Sequence, residues 1–183
     1  MQGRRSDGET RQHEGQHLVA RANTEGERIA IEIDDALGGD PWHGSSLNAL
    51  LEGVTSEDAI QRPIASAHNI WELVLHITSW ANIAHRRLTG GKVEPEEGED
   101  WPIPGEITEV TWAAARAALA ESHARLREVV AGLSDEELTR NVPQGKRSVA
   151  NMLHGVTQHD AYHGGQIAIL KKGISIFRRR EAT

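Results

Sequence analysis

The chain contains no cysteine. That removes disulfides, zinc fingers and a protein thiol nucleophile from consideration. Tyrosine and phenylalanine occur once each, so the five tryptophans supply most of the aromatic surface. An excess of cations is also missing: 20 Lys and Arg stand against 27 Asp and Glu, for a formal net charge of −7. Nucleic acid recognition needs a basic surface to neutralise phosphates, so no nucleic acid partner is expected; "FRRR" at 177–180 is a local basic patch in a short tail. No apolar run approaches the roughly 20 residues of a membrane span. The opening "MQGRRSDGETRQHEGQHLVARANTEGE" lacks the apolar core of a secretory signal. The expectation is a cytoplasmic protein with no membrane partner.

What remains, 183 residues with 38% hydrophobic and 26% charged content, suits one globular domain. Residues 1–25 are polar, with little to bury, and read as a disordered extension; His13 and His17 within it read as a solvated pair. A domain over 26–177 and a basic tail over 178–183 follow. Apolar periodicity predicts a helix over 28–37 stopped by Gly38-Gly39, then short helices from Ser45 or Ser46 and from Thr55 or Ser56. A long helix follows from His68 to Leu88, with Ser66 as its cap. "GGKVEPEEGEDWPIPGE" (90–106) is a loop with three prolines, of the length that makes a crossover or borders a site. Further helices span 108–133, 134–140 and 147–172, the last ending at Gly173. Nothing alternates as a strand would. The chain is expected to be all-α, a four-helix bundle with a long connection between its second and third long helices.

"QHDAYHGGQI" (158–167) sets the functional question. Two glycines within a helix cost roughly 1 kcal/mol each relative to alanine, and imidazoles sit poorly in an apolar interior unless their nitrogens are satisfied. His159 and His163 lie one turn apart on one face, the spacing at which both can bind one metal ion. They continue an apolar stripe of Met152, Val156, Ile167 and Leu170. In "WELVLHITSW", His76 continues the stripe Leu73, Trp80, Ile83. A single inward histidine is ordinarily a hydrogen-bonded core residue. Three on converging stripes, two of them at ligand spacing, point to a divalent metal held by His76, His159 and His163. The other histidines fit less well: His154 is a five-residue step from His159, His68 sits at a helix entrance, His43 lies beside Trp42 in a loop, and His85 and His123 read as solvent-facing. Glu72 reads as serving the first turn of its helix rather than a metal.

The segments "PWHGSSLNALLEGVTSEDAIQRPIASAHNIWELVLHITSWANIAHRRLTG", "EDWP" and "LHGVTQHDAYHGGQIAILKK" together resemble the DinB/YfiT-like superfamily, over roughly residues 28–175. The resemblance implies a four-helix bundle of unusual connectivity, often dimeric, that holds a divalent metal, zinc or nickel, on three histidines. His76 matches the early ligand and His159 and His163 the late pair. Relatives include bacillithiol- or mycothiol-dependent transferases and isomerases, and proteins described as metal-dependent hydrolases.

Three neutral imidazoles leave a bound ion its full charge and vacant positions. Such an ion can acidify water or ionise the thiol of a small cofactor, so a hydrolase and a small-thiol-dependent transferase are the two enzymatic readings, each with a small-molecule substrate. A non-catalytic metal- or ligand-binding stress-response bundle is the third. Asp160 reads either as orienting an imidazole or as a helix-surface aspartate, and Gln166 either as reaching the pocket or as bonding to a neighbouring helix. Of Trp42, Trp71, Trp80 and Trp101, Trp80 is expected nearest the site. The seven acids between Glu94 and Glu109 would, on a pocket rim, disfavour anions. Gly164 and Gly165 are expected to admit a close neighbour.

Overall fold

The computed structural model describes residues 24–181 apart from 93 and 144–145, with the side chains of 177–181 also left aside. The polar extension with its His13–His17 pair, and the side chains of the basic patch, therefore lie outside the described residues. Seven helices are found there and no strand: α1 (Glu25–Leu37), α2 (Leu47–Leu51), α3 (Ser56–Ala59), α4 (Ile70–Leu88), α5 (Glu109–Ala131), α6 (Asp135–Thr139) and α7 (Val149–Glu181).

Local chemistry sets most of the helix starts. Thr24, Thr55, Asn69, Thr108 and Ser134 each accept from the backbone N–H three residues on, while the side chain there returns a bond to the cap's own N–H. A cap of this kind contributes about 1 kcal/mol. The start of α4 corrects the expectation of a Ser66 cap. Asn69 has an acid three residues on and Ser66 does not, so Asn69 and Glu72 close the reciprocal pair at 2.9 and 3.0 Å.

Gly173 does not end the last helix, which continues to Glu181. Its role is steric: a Cβ at Gly173 would lie 2.8 Å from Cβ of Pro63, so the missing side chain lets the α3–α4 connection lie against α7. Gly164 is similar but milder, with Leu50 and Leu47 of α2 at 3.3 and 3.6 Å from a built Cβ, whereas Gly165 has nothing within 4 Å. The two cases give opposite expectations. Gly173→Ala should lower stability by about 1–3 kcal/mol through overpacking. Gly165→Ala should raise it by up to about 1 kcal/mol through helix propensity. Thermal unfolding of the two variants checks both signs.

α4 packs on α5 and α7, and α1 on the same two helices, while α2 covers part of α7. The core falls into two apolar clusters. One takes Ile70–Ile77 residues of α4, Trp112 to Leu119 of α5 and Ile167 to Ile174 of α7. The other takes Ala81 and Ala84 of α4, Leu126 and Val130 of α5, and Val149 to Val156 of α7, with α1 against them. At the joint, each of the three long helices turns polar: His76 and Ser79 on α4, Ser122 and His123 on α5, Asp160 and His163 on α7, all buried. A polar layer inside an apolar core must satisfy itself internally, and the candidate site lies in it.

Candidate metal centre

Helical spacing brings His159 and His163 onto one face of α7, opposite His76 of α4. Nε2 of His159 lies 2.9 Å from Nε2 of His76 and 3.1 Å from Nε2 of His163. The outer nitrogens explain which way the rings face. Nδ1 of His76 donates to the Asp100 carbonyl at 2.6 Å, and Nδ1 of His163 donates to Oε1 of Gln166 at 2.7 Å. A carbonyl oxygen only accepts, so both rings carry their proton on Nδ1 and turn a lone pair on Nε2 toward the centre. His159 can bring at most one proton to that centre.

Protonation does not relieve this crowding. Burial, reinforced by His163 and His76, pushes His159 down to about 4. Burial also holds His76 and His163 below the ordinary histidine value, against the opposing pull of the Asp100 and Gln166 bonds. Three neutral imidazoles, two of them with lone pairs fixed inward and the third able to turn its own inward, are a donor set for a cation. The three nitrogens gather round one point, two of the pairs at 2.9 and 3.1 Å and all within 4.8 Å, where a cation could be held. Nδ1 of His159 is buried without a hydrogen-bond partner.

The 90–106 loop borders the site, as its length suggested, and α4 fastens it there. Besides His76, Ser79 donates to the Glu99 carbonyl at 2.5 Å, and Trp80 Nε1 donates to the Asp100 carboxylate at 2.7 Å. Arg86 grips the Glu99 carboxylate with two bonds of 2.7 and 2.9 Å. The loop thereby delivers Trp101, whose ring is nearly parallel to both His68 and His76 with 3.7 Å between centroids. Two rings at that distance from one indole must lie on opposite faces, so Trp101 separates His68 from His76. Of the tryptophans, Trp101 thus touches the site most closely. Trp80 stands at 6.4 Å from His76, Trp71 is core against Trp112, and Trp42 is fully exposed.

Three residues depart from expectation, His123, Asp160 and His85. His123 is completely buried rather than solvent-facing. Asp160 orients no metal-site imidazole; its Oδ2 accepts from Nε2 of His123 at 3.1 Å. The His123 position falls between Leu119 and Leu126 on the buried face of α5, a signal diluted by the alanines and charges around it. His85 is half-buried. Other placements agree with the sequence: His154 points away to Glu32, Glu72 completes the α4 cap and pairs with His68, and Gln166 reaches the site. Of the acids in the loop, Glu99 is matched to Arg86 and Asp100 lines the cavity below.

A cavity of about 700 Å³ adjoins the three histidines, with Leu73, Trp101, Tyr162, Ile169 and Leu170 in its wall. A second chamber of about 470 Å³ shares Trp80 and His159 with it. Among the described residues, His76, His159 and His163 form the one group of histidines and acids with nitrogens or oxygens close enough to hold a metal ion, all within 4.8 Å. An all-helical protein with three facing imidazoles in a polar layer of its core defines the class. Residues 42–167 match the DinB superfamily, and the chain belongs to that family. No curated protein and no solved structure matches the chain. No helix among the described residues is long and apolar enough to cross a membrane.

Proposed function

We propose that the chain is a four-helix bundle of the DinB/YfiT type that holds one divalent cation, zinc or nickel, on His76, His159 and His163, and acts as a metal-dependent enzyme on a small molecule. The observation that carries this reading is the convergence of three imidazole Nε2 atoms beside a cavity, with no fourth protein ligand in the group among the described residues. A site with three protein ligands retains vacant positions, as catalytic centres do and closed structural ones do not. When bound, the cation supplies Lewis acidity, which serves hydrolysis and low-molecular-weight-thiol-dependent transfer alike.

The chain's own residues prepare the site. The Asp100 carbonyl and Gln166 fix the tautomers of His76 and His163. Trp101 covers one face of His76, and the apolar side chains of Leu73, Ile169 and Leu170 limit water in the cavity. The proposal includes a homodimer. It is supported by Tyr162, Ile169 and Ile176, which lie seven residues apart on α7 and are all exposed, and two of which also line the cavity.

A metal-replete screen of ester, amide and thiol-transfer substrates tests the enzymatic reading. Turnover that chelation abolishes and added metal restores is expected in one of the three classes. The same site joins α4 to α7, which suits a non-catalytic metal- or ligand-binding stress-response protein. Absence of metal-dependent turnover in all three classes, from protein that carries its ion, decides for that alternative.

A further inference from the structure

The second chamber has walls of two kinds. Ala84 of α4, Met152 and Val156 of α7, and Val142 of the α6–α7 connection give it apolar sides, and Trp80 and His159 close it toward the histidine cluster. Arg87, Lys146 and Arg147 also line it, against one carboxylate, Glu94. In a chain with a net charge of −7, three cations to one acid around a single cavity reverse the overall balance. Elsewhere on the chain Arg62 pairs with Glu72, Arg86 with Glu99 and Arg127 with Asp34. Lys146 and Arg147 are exposed and have no ion-pair partner among the described residues.

The local backbone explains their position. The Val142 N–H donates to the Arg147 carbonyl, and the Val149 N–H to the Arg140 carbonyl, both at 2.9 Å, so the flanks of the connection pair with each other. Val142 is buried by this, while Lys146 and Arg147 stay at the surface. The Arg87 guanidinium lies over the Trp80 ring at 5.7 Å, held beside the chamber by the ring's negative face. Its volume is within the roughly 300–1,000 Å³ of small-molecule sites.

We infer that this chamber is a subsite for a small organic anion, its apolar body along Ala84, Met152 and Val156 and its carboxylate or phosphate on Arg87, Lys146 and Arg147. Guanidinium and ammonium groups make short, charge-assisted bonds to such oxygens, and the apolar sides favour a hydrocarbon over a bare inorganic ion. The ligand's far end meets Trp80 and His159. As a statement about the substrate of the metal site, this rests on the enzymatic reading above; as a statement about binding, it does not. The loop acids do not oppose it, because Glu94 is the one acid of that run in the wall.

Hexanoate, hexyl phosphate and hexanamide, titrated calorimetrically into the purified protein, test the inference. Both anions are expected to bind at least about 10-fold more tightly than the neutral amide, and the tighter of the two identifies the headgroup. Lys146→Gln with Arg147→Gln is expected to remove that preference while leaving metal content by elemental analysis unchanged. Equal binding of anions and amide overturns the subsite. So does a preference that survives the double variant but disappears in His159→Ala, because the anion then sits on the metal. A protein that binds no metal, yet loses its anion preference in the double variant, retains the subsite and loses the metal-dependent reading.

Discussion

His159→Ala is expected to leave the protein with almost no divalent metal, where the parent carries about one ion per chain. His159 is the middle member of the cluster, with its Nε2 within 3.1 Å of both other imidazoles. Its removal leaves two nitrogens on different helices. Loss of an outer hydrogen-bonding partner of a ligand typically weakens metal binding about 10–100-fold, so loss of the ligand itself should exceed that, and Gln166→Leu should fall within it. Elemental analysis after exhaustive dialysis reads both. The fold itself should tolerate the change, since alanine favours helix and the substitution removes a crowded imidazole. The pH dependence has a definite sign. Metal binding requires deprotonated histidine, and all three imidazoles are held below the ordinary value by burial, His159 down to about 4. The parent should therefore keep its ion as the pH falls through 6.5, where free imidazole takes up protons, and release it further toward 4. Stoichiometric metal in His159→Ala would sink the assignment.

The sequence carried the parts of this site that depend on helical periodicity. His76, His159 and His163 each extend an apolar stripe, and two stripes facing each other across a core place three imidazoles together. Other parts depend on contacts between distant segments, for which no local pattern exists. Trp101 belongs to an irregular loop, and its place between His68 and His76 follows from the bonds that α4 makes to Glu99 and Asp100. Gly173 looked like a terminator because glycine usually ends helices, but the reason for it is Pro63, more than a hundred residues earlier. His123 is an intermediate case. Trp112, Ala115, Leu119, Leu126 and Val130 mark the buried face of α5, and His123 falls within their spacing. The many alanines and charges of that helix weaken its contrast, and only the arrival of Asp160 from α7 shows why a histidine is tolerated there.

That pair carries the largest expected effect on stability. The side chains of His123 and Asp160 are each about 1% exposed. Nδ1 of His123 lies 3.0 Å from the Leu119 carbonyl and Nε2 lies 3.1 Å from the Asp160 carboxylate. Both partners are acceptors, an arrangement that favours the doubly protonated ring. Burial opposes that charge, but the bond and charge of Asp160 outweigh it and hold His123 above its ordinary value. Asp160→Ala leaves the imidazolium buried and unpaired, and a loss of about 3–5 kcal/mol is expected. Asp160→Asn keeps an acceptor oxygen and should cost less, about 1–3 kcal/mol. The linkage sign follows from the raised value. Stability from His123 protonation is fully present below about pH 6.5 and is lost as pH rises through the folded-state value. The stability gap between the parent and Asp160→Asn should therefore narrow at alkaline pH in denaturant titrations. Replacing both residues with leucine should recover much of the loss, because an apolar pair of similar volume avoids the desolvation cost that a buried ion pair carries. A loss below about 1 kcal/mol in Asp160→Ala would show that the pair is not ionised. A gap that stays constant with pH would show the same, and the polar layer would then join α5 to α7 by neutral hydrogen bonds alone.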